Sequence, residues 1–339
     1  MIKYNYTIET PCCEFLVIGD VHLSGQRPSC RVDDYLSTCL NKIEFILDYA
    51  ITNNINSVFF EGDFFHRVNE TIPCLSRVIN LILRKKTEFA LKNKSTLNLF
   101  TIVGNHDLPY ENFKFIERSP LNLLFETGTL SPFKRVELKS KSNSVFINGF
   151  DYSCQIEDSK VPNECCIAHM FYNTNMPFTD NKNRIDNLTK DDAKKLGYRV
   201  YFLGHDHVYY GINNEIDYFV VRGGSLMRNT SHKHQVNRIP CFYHVVFSND
   251  NFEFKEVEVE TALRGDLVFT TESLNKPKTT PLIDDSIKVK ISDIILTLSC
   301  EEKQNDSIID ILDKIIEEKK VGQEVKTMLI GYFSKENLI

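Results

Sequence analysis

An α/β architecture is predicted by two observations. Short apolar segments alternate with amphipathic, helix-spaced segments through the first hundred residues, and three of those apolar segments end in Gly followed by a polar residue able to bind a metal or carry a proton. In such folds the reactive groups gather at the carboxyl ends of the strands.

The first strand is read at Glu14-Phe-Leu-Val-Ile-Gly19, a short apolar run bounded by turn residues, with Asp20 after it. Asp33 or Asp34 then caps a helix whose apolar residues Leu36, Leu40, Ile43, Ile46 and Leu47 recur at helical spacing to about Asn53. A second strand, Ser57-Val-Phe-Phe-Glu61, ends in Gly62-Asp63. Another helical stretch, from about Pro73 to Ala90, leads to Leu97-Asn-Leu-Phe-Thr-Ile-Val103, which runs into Gly104-Asn105-His106-Asp107.

Further strands are expected at Arg135 to Leu138, Ser144 to Asn148 and Glu164 to Ala168, the last ending at His169. A loop rich in Asn, Asp and Lys, about residues 173 to 195, precedes Tyr198 to Leu203, which ends in Gly204-His205-Asp206-His207. Alternating segments follow at Asp217 to Arg222, Cys241 to Phe247 and Phe252 to Val259, so the second half reads as another sheet. The texture changes near Arg264. A Thr/Pro/Lys-rich segment (Thr270 to Leu282) reads as a linker, Ile287 to Ile291 as a strand, and Asn305-Asp306 as the cap of a helix carrying Ile308, Ile309, Ile311, Leu312, Ile315 and Ile316, a stripe expected to be core. Two domains are therefore expected, 1–263 and a small α/β module with its linker, 264–339.

Composition narrows the function classes. The 339 residues, 42% apolar and 25% charged, are ordinary for a soluble globular protein, and the formal charge of −6 argues against a chain that coats nucleic acid by charge alone. Ten cysteines without a CxxC suggest reduced thiols rather than a zinc finger or a disulfide framework. With no signal-peptide pattern and no run of 18 apolar residues, a cytoplasmic protein without a membrane partner is expected.

Asp20, His22, Asp63, Asn105, His169, His205 and His207 form a donor set able to hold two divalent cations if one carboxylate bridges. Asp20-x-His22 and His205-x-His207 each direct two side chains to one side of an extended backbone. Two adjacent metals stabilise both the attacking and the leaving oxygens of a displacement at phosphorus, so phosphoester hydrolysis is the chemistry suggested. His106, next to Asn105, suits a general acid, with Asp107 expected to orient it, and the attacking water would be activated by the metals.

In order along the chain, Gly-Asp20-Val-His22, Gly62-Asp63, Gly104-Asn105-His106-Asp107, His169 and Gly204-His205-Asp206-His207 resemble the signature blocks of calcineurin-like metallophosphoesterases, over about residues 14 to 248. That resemblance implies a four-layer αββα sandwich of two mixed sheets with a dinuclear site between them. It implies that Asp20, His22 and His207 bind one metal, Asn105, His169 and His205 the other, and that Asp63 bridges.

The form Gly62-Asp63-Phe64-Phe65-His66-Arg67 departs from the GDxxDRG of Ser/Thr protein phosphatases, and GNHD departs from their GNHE. With Asp20-Val-His-Leu23, Gly223-Gly224-Ser225-Leu226 and GNHDLPYEN (104–112), it is similar to SbcD-type DNA double-strand-break repair nucleases, particularly the recombination nuclease subunits of large tailed phages. The implied activity is that of a manganese-dependent DNA exonuclease and endonuclease, Mg2+, Fe2+ or Zn2+ being alternatives, acting with an SbcC-type ATPase of the SMC class. A phage-encoded chain would work in the host cytoplasm. Homodimerisation is left open.

His66 would then lie near the scissile phosphate, and residues 264–339 would form a DNA-contacting cap with a tail for the ATPase. Arg27, Arg31, Arg67, Arg222 and Arg228 flank the blocks and are candidates for phosphate contacts, with ordinary surface or structural roles favoured. His232-Lys233-His234 reads as a solvated turn. Two rival functions stand beside the nuclease: a phosphoesterase on small molecules or proteins, and a non-catalytic scaffold of the same fold.

Overall fold

The computed structural model describes residues 4–173 and 187–275. In chain order its strands and helices are β1 (Asn5–Glu9), β2 (Cys13–Ile18), α1 (Tyr35–Asn53), β3 (Ser57–Phe60), α2 (Ile72–Asn93), β4 (Asn98–Thr101), α3 (Pro120–Glu126), β5 (Ser131–Pro132), β6 (Arg135–Lys139), β7 (Ser144–Phe150) and β8 (Glu164–His169). Then come β9 (Phe171–Asn173), β10 (Asn187–Thr189), α4 (Lys190–Leu196), β11 (Val200–Gly204), β12 (Gly211–Asn214), β13 (Phe219–Arg222), α5 (Lys233–Val236), β14 (Cys241–Ser248), β15 (Asn251–Glu258), α6 (Gly265–Val268) and α7 (Thr271–Asn275).

Two mixed sheets carry the fold: a six-stranded one ordered β15-β14-β2-β3-β4-β5 and a seven-stranded one ordered β1-β6-β7-β8-β11-β13-β12. Side-chain parity explains how they stack. In β2, Phe15 and Val17 enter the core between the sheets, whereas Leu16 and Ile18 enter a second core under α1 and α2. In β11, Val200 and Phe202 face the inter-sheet core, and Tyr201 and Leu203 turn to a third core with Ala193 of α4. Three apolar layers thus lie between four layers of backbone. Sheets buried on both faces need near-continuous apolar strands, which is how these strands read in the sequence.

Local signals set the helix ends. Asp34 caps α1 by accepting the Ser37 N–H at 3.1 Å, and Asn54, in the left-handed region at φ 57°, stops it. Thr71 caps α2, with Pro73 in its first turn.

Four expectations are revised. β1, unforeseen because only half of it is shielded, pairs in parallel with β6 of the seven-stranded sheet. β14 and β15 return to the six-stranded sheet, where β14 pairs antiparallel with β2, so the sheets do not divide the chain into halves. The polar stretch read as a loop at 173–195 contains β10 and α4, whose caps are Thr189 and Gly197; polar composition concealed a helix with one buried residue, Ala193. Finally, residues just past 263 pack on the preceding body: Val32 N–H donates to the Val268 carbonyl and Thr270 N–H to the Cys30 carbonyl, both at 2.9 Å.

Chain contacts divide at Lys276/Pro277 rather than at 263/264, and Thr271–Asn275 is helical rather than linker. The strand at 287–291, the helix near 305–320 and its apolar stripe lie outside the described residues. The nine described cysteines are free thiols. Among the described residues no helix is long and apolar enough to cross a membrane.

Candidate metal centre

The carboxyl ends of β2, β3 and β4 from one sheet meet those of β8 and β11 from the other, and each delivers part of one polar cluster. The approach is close enough to demand glycine. A Cβ on Gly204 would lie 2.5 Å from Asp20 Oδ1, and one on Gly104 2.1 Å from Asp63 Oδ1. His22, Asp63 and His205 themselves adopt left-handed backbone, at φ 51°, 44° and 82°. Such conformations cost about 1–3 kcal/mol each and persist where surrounding structure imposes them, as at a ligand cluster.

Asp20, His22, Asp63 and His207 each offer a donor atom within 4.8 Å of the others. The Nε2 atoms of His22 and His207 face each other at 2.8 Å, with Asp63 Oδ2 3.7 Å from His22 Nε2 and Asp20 Oδ2 3.9 Å from His207 Nε2. On the far side of Asp63, His169 Nε2 stands 3.4 Å from Oδ2 and 3.0 Å from Asn105 Oδ1. The His205 ring lies 4.8 Å from that of His169, centre to centre, and its backbone N–H donates to Asp20. All seven expected ligand residues are therefore gathered, with Asp63 between the two halves.

Asp63 Oδ1 accepts the His106 N–H at 2.8 Å, but Oδ2 is buried without a hydrogen-bond partner. A buried carboxylate oxygen left in this way is costly unless a cation meets it. Burial opposes ionisation of Asp63, yet His169 and His22 hold its carboxyl well below the usual range. Burial likewise opposes charge on His169, and Asp63 and Asp20 outweigh it, lifting His169 to about 10. In the bare chain a proton on His169 supplies the positive charge the carboxylates require. Burial lowers His22 well below its ordinary value and His207 to about 4, keeping both imidazoles neutral with lone pairs for a metal. The residues fit a pair of divalent cations: His169 Nδ1 donates to the Glu61 carbonyl at 2.9 Å, which leaves Nε2 as the ligand atom.

His106 sits beside this cluster, its ring stacked on His66 at 5.3 Å and 16°. Its orientation is set by the His66 carbonyl, 3.0 Å from Nδ1, and not by Asp107. Asp107 is buried and accepts backbone N–H groups from Phe64, Phe65 and Gly104, so it ties the 63–65 turn to the 104–107 turn. Burial pushes its carboxyl up to about 7. The expected role of Asp107 is thus corrected: a residue adjacent in sequence to His106 is turned by the tight 3-10 geometry of 105–107 toward backbone. His66 is brought beside His106 and also beside His22, with 3.3 Å between the Nδ1 atoms.

Arg31, Arg222 and Arg228 are buried and committed elsewhere. Arg31 pairs with Asp33 and the Arg228 carbonyl, Arg228 with the Arg238 and Leu263 carbonyls, and Arg222 lies on the faces of Tyr210 and Tyr172. Arg27 donates to the Val32 carbonyl. Arg67 is exposed next to His66. His232 and His234 are exposed, but the segment read as a turn starts a helix: His232 stands at the N-cap of α5, Lys233 and His234 open it, and the two rings stack at 5.6 Å. Unforeseen were Tyr152, whose ring lies 5.7 Å from that of His205, and Asn229 and Tyr35 on the His22 side. Only the Gly223 to Leu226 block pointed toward Asn229.

A two-sheet sandwich with a dinuclear donor set at its strand ends defines a metallophosphoesterase. The calcineurin-like phosphoesterase family model matches residues 14–230, and the chain belongs to that family. No curated protein matches it. Among solved structures, it is similar to a dimetal phosphatase from Danio rerio at 12% identity, covering 74% of this chain and 97% of that one, with a TM-score of 0.47. It is also similar to zinc-complexed Vps29 from Entamoeba histolytica at 11% identity, covering 73% and 99%, with a TM-score of 0.30.

Proposed function

We propose that this phosphoesterase is a DNA nuclease that hydrolyses phosphodiester bonds during recombination and break processing, with manganese as its metal. The observation that carries the diester reading is the commitment of the buried arginines. A phosphomonoester brings two negative charges and calls for an additional cation such as a bidentate guanidinium, whereas a diester brings one. Arg31, Arg222 and Arg228 are held by Asp33, carbonyls and tyrosine faces, leaving exposed Arg67 beside the paired imidazoles of His66 and His106. DNA as the diester follows from the resemblance of the GDFFH and GNHDLPYEN blocks to SbcD-type nucleases. An SbcC-type ATPase partner is part of the same proposal.

When bound, the divalent cations supply Lewis acidity and lower the pKa of water at the site. The chain's own residues do the rest. Asp63 spans the two half-sites, and its Oδ1 anchors the backbone of His106. With Nδ1–H of His106 directed to the His66 carbonyl, Nε2 is left to give a proton to the departing alkoxide from the imidazolium form, the ring returning to the neutral Nδ1–H tautomer.

The test is manganese-dependent degradation of end-labelled linear double-stranded DNA by the full chain, with chelator and Asp63→Ala as controls. Cleavage lost in both controls supports the reading. Rapid cleavage of small aryl phosphodiesters with DNA left intact overturns it in favour of a small-substrate phosphodiesterase, the reading that the net charge of −6 favours.

A further inference from the structure

We infer that Asn229 is a positioning residue for the metal ligand His22, acting through His66. The inference rests on the metal-binding reading of the site, and not on DNA as substrate.

Direction along the chain of contacts follows from the metal end. His22 Nε2 faces His207 Nε2 and Asp63, and to bind a metal there it would have to present a lone pair, which puts its proton on Nδ1. That Nδ1–H points at His66 Nδ1, 3.3 Å away, which must then be the unprotonated nitrogen of its ring. Asn229 Nδ2 lies 3.4 Å from the same atom and donates to it, which turns Asn229 Oδ1 toward the Tyr35 hydroxyl as acceptor. The Tyr35 hydroxyl proton is shared between Asn229 Oδ1 and the His22 carbonyl, 3.0 Å away, so Tyr35 joins Asn229 to the backbone of the ligand it serves. Rotating the Asn229 amide by 180° would place an oxygen against His66 Nδ1, demand a proton there, and force His22 into the tautomer that cannot bind a metal through Nε2.

Asn229 is held for this task by the loop that carries it. Lys42 Nζ donates to the Leu226 carbonyl at 2.8 Å, Arg31 to the Arg228 carbonyl at 2.8 Å, and Arg238 to the Gly223 and Ser225 carbonyls. The same loop reaches back to the ligand segments, with Leu226 N–H on the Asp20 carbonyl at 2.7 Å. Basic side chains clamp one side of the loop, and the strand ends that carry the candidate ligands take the other.

The experiment is calorimetric titration of the full chain with Mn2+ alone, for the wild type, Asn229→Asp, His66→Ala and the double variant. A carboxylate at 229 accepts only, so Asn229→Asp is expected to weaken one of two sites by about 10–100-fold while sparing the other, the range for loss of a partner behind a metal-bound histidine. His66→Ala should weaken the same site, and the double variant should be no worse than the worse single one. Tyr35→Phe, which deletes only a hydroxyl, should weaken that site too. Unchanged affinity in Asn229→Asp, or equal weakening of both sites, overturns the inference. Failure of the wild type to bind two ions would instead strike the metal reading.

Discussion

Gly104→Ala isolates the closeness of the two turns that build the site. Gly104 has φ −92° and ψ 175°, a conformation alanine adopts freely, so the backbone itself does not object. The added Cβ does, at 2.1 Å from Asp63 Oδ1 and 2.3 Å from Asp63 N, where contacts under 3.0 Å essentially never occur. Asp63 must therefore recede by about 0.9 Å, several times the roughly 0.2 Å within which metal–ligand distances are held. Because Asp63 lies between both half-sites, both ions should weaken, by about 100-fold or more. Overpacking adds about 1–3 kcal/mol of destabilisation, a fall in Tm of roughly 1–5 °C for a chain of this size. Calorimetric Mn2+ titration gives the first effect, and thermal denaturation with chelator present gives the second. Gly128→Ala is a control for metal binding only: a Cβ there meets nothing within 4 Å, but the φ of 65° at that position itself costs an alanine about 1–2 kcal/mol. Two ions bound by Gly104→Ala with wild-type affinity would refute the reasoning.

His106→Gln should keep both metals by calorimetry while turnover of a diester falls about 10²–10⁴-fold, the usual share of a general acid; undiminished turnover would remove His106 from proton transfer. Burial would raise the Asp33 carboxyl, but bonds from Arg31 and Thr38 hold it below its ordinary 3.8. Its contribution to stability is thus present above about pH 4 and is lost as pH falls through the folded value, so Asp33→Asn should flatten the acid limb of a Tm-against-pH curve measured between pH 2 and 6. Chelation of the wild type should lower stability measured by urea titration, by about 2.7 kcal/mol per site if the free metal had stood at 100 times its Kd.

The candidate metal ligands were legible because most stand at or just past the end of an apolar strand, a local pattern that chain order preserves. Asp20, Asp63, Asn105 and His205 each follow such a strand and a glycine, and His169 closes its strand after Ala168. What depends on distant neighbours was not legible. His66 and Asn229 are 163 positions apart, and nothing near either announces the other. Arg31, Arg222 and Arg228 look like surface cations in sequence and became buried because distant groups converge on them, carbonyls on Arg31 and Arg228 and the rings of Tyr172 and Tyr210 on Arg222. β1 was missed because its alternation is shallow, and α4 because this short helix packs through only Ala193 and half-buried Leu196 among polar residues.

The pairing of β2 with β14 has a cost during synthesis. His244 bonds Glu14 across 230 positions, so the strand that carries Asp20 and His22 is made early but acquires its antiparallel neighbour late. At about 5–20 residues per second the ribosome needs roughly 10–45 s to cover that distance, and for that time one edge of an apolar strand stays open to other chains. Nascent protein should therefore be most vulnerable to aggregation, and most dependent on chaperones, until residues 241–248 emerge and close the sheet.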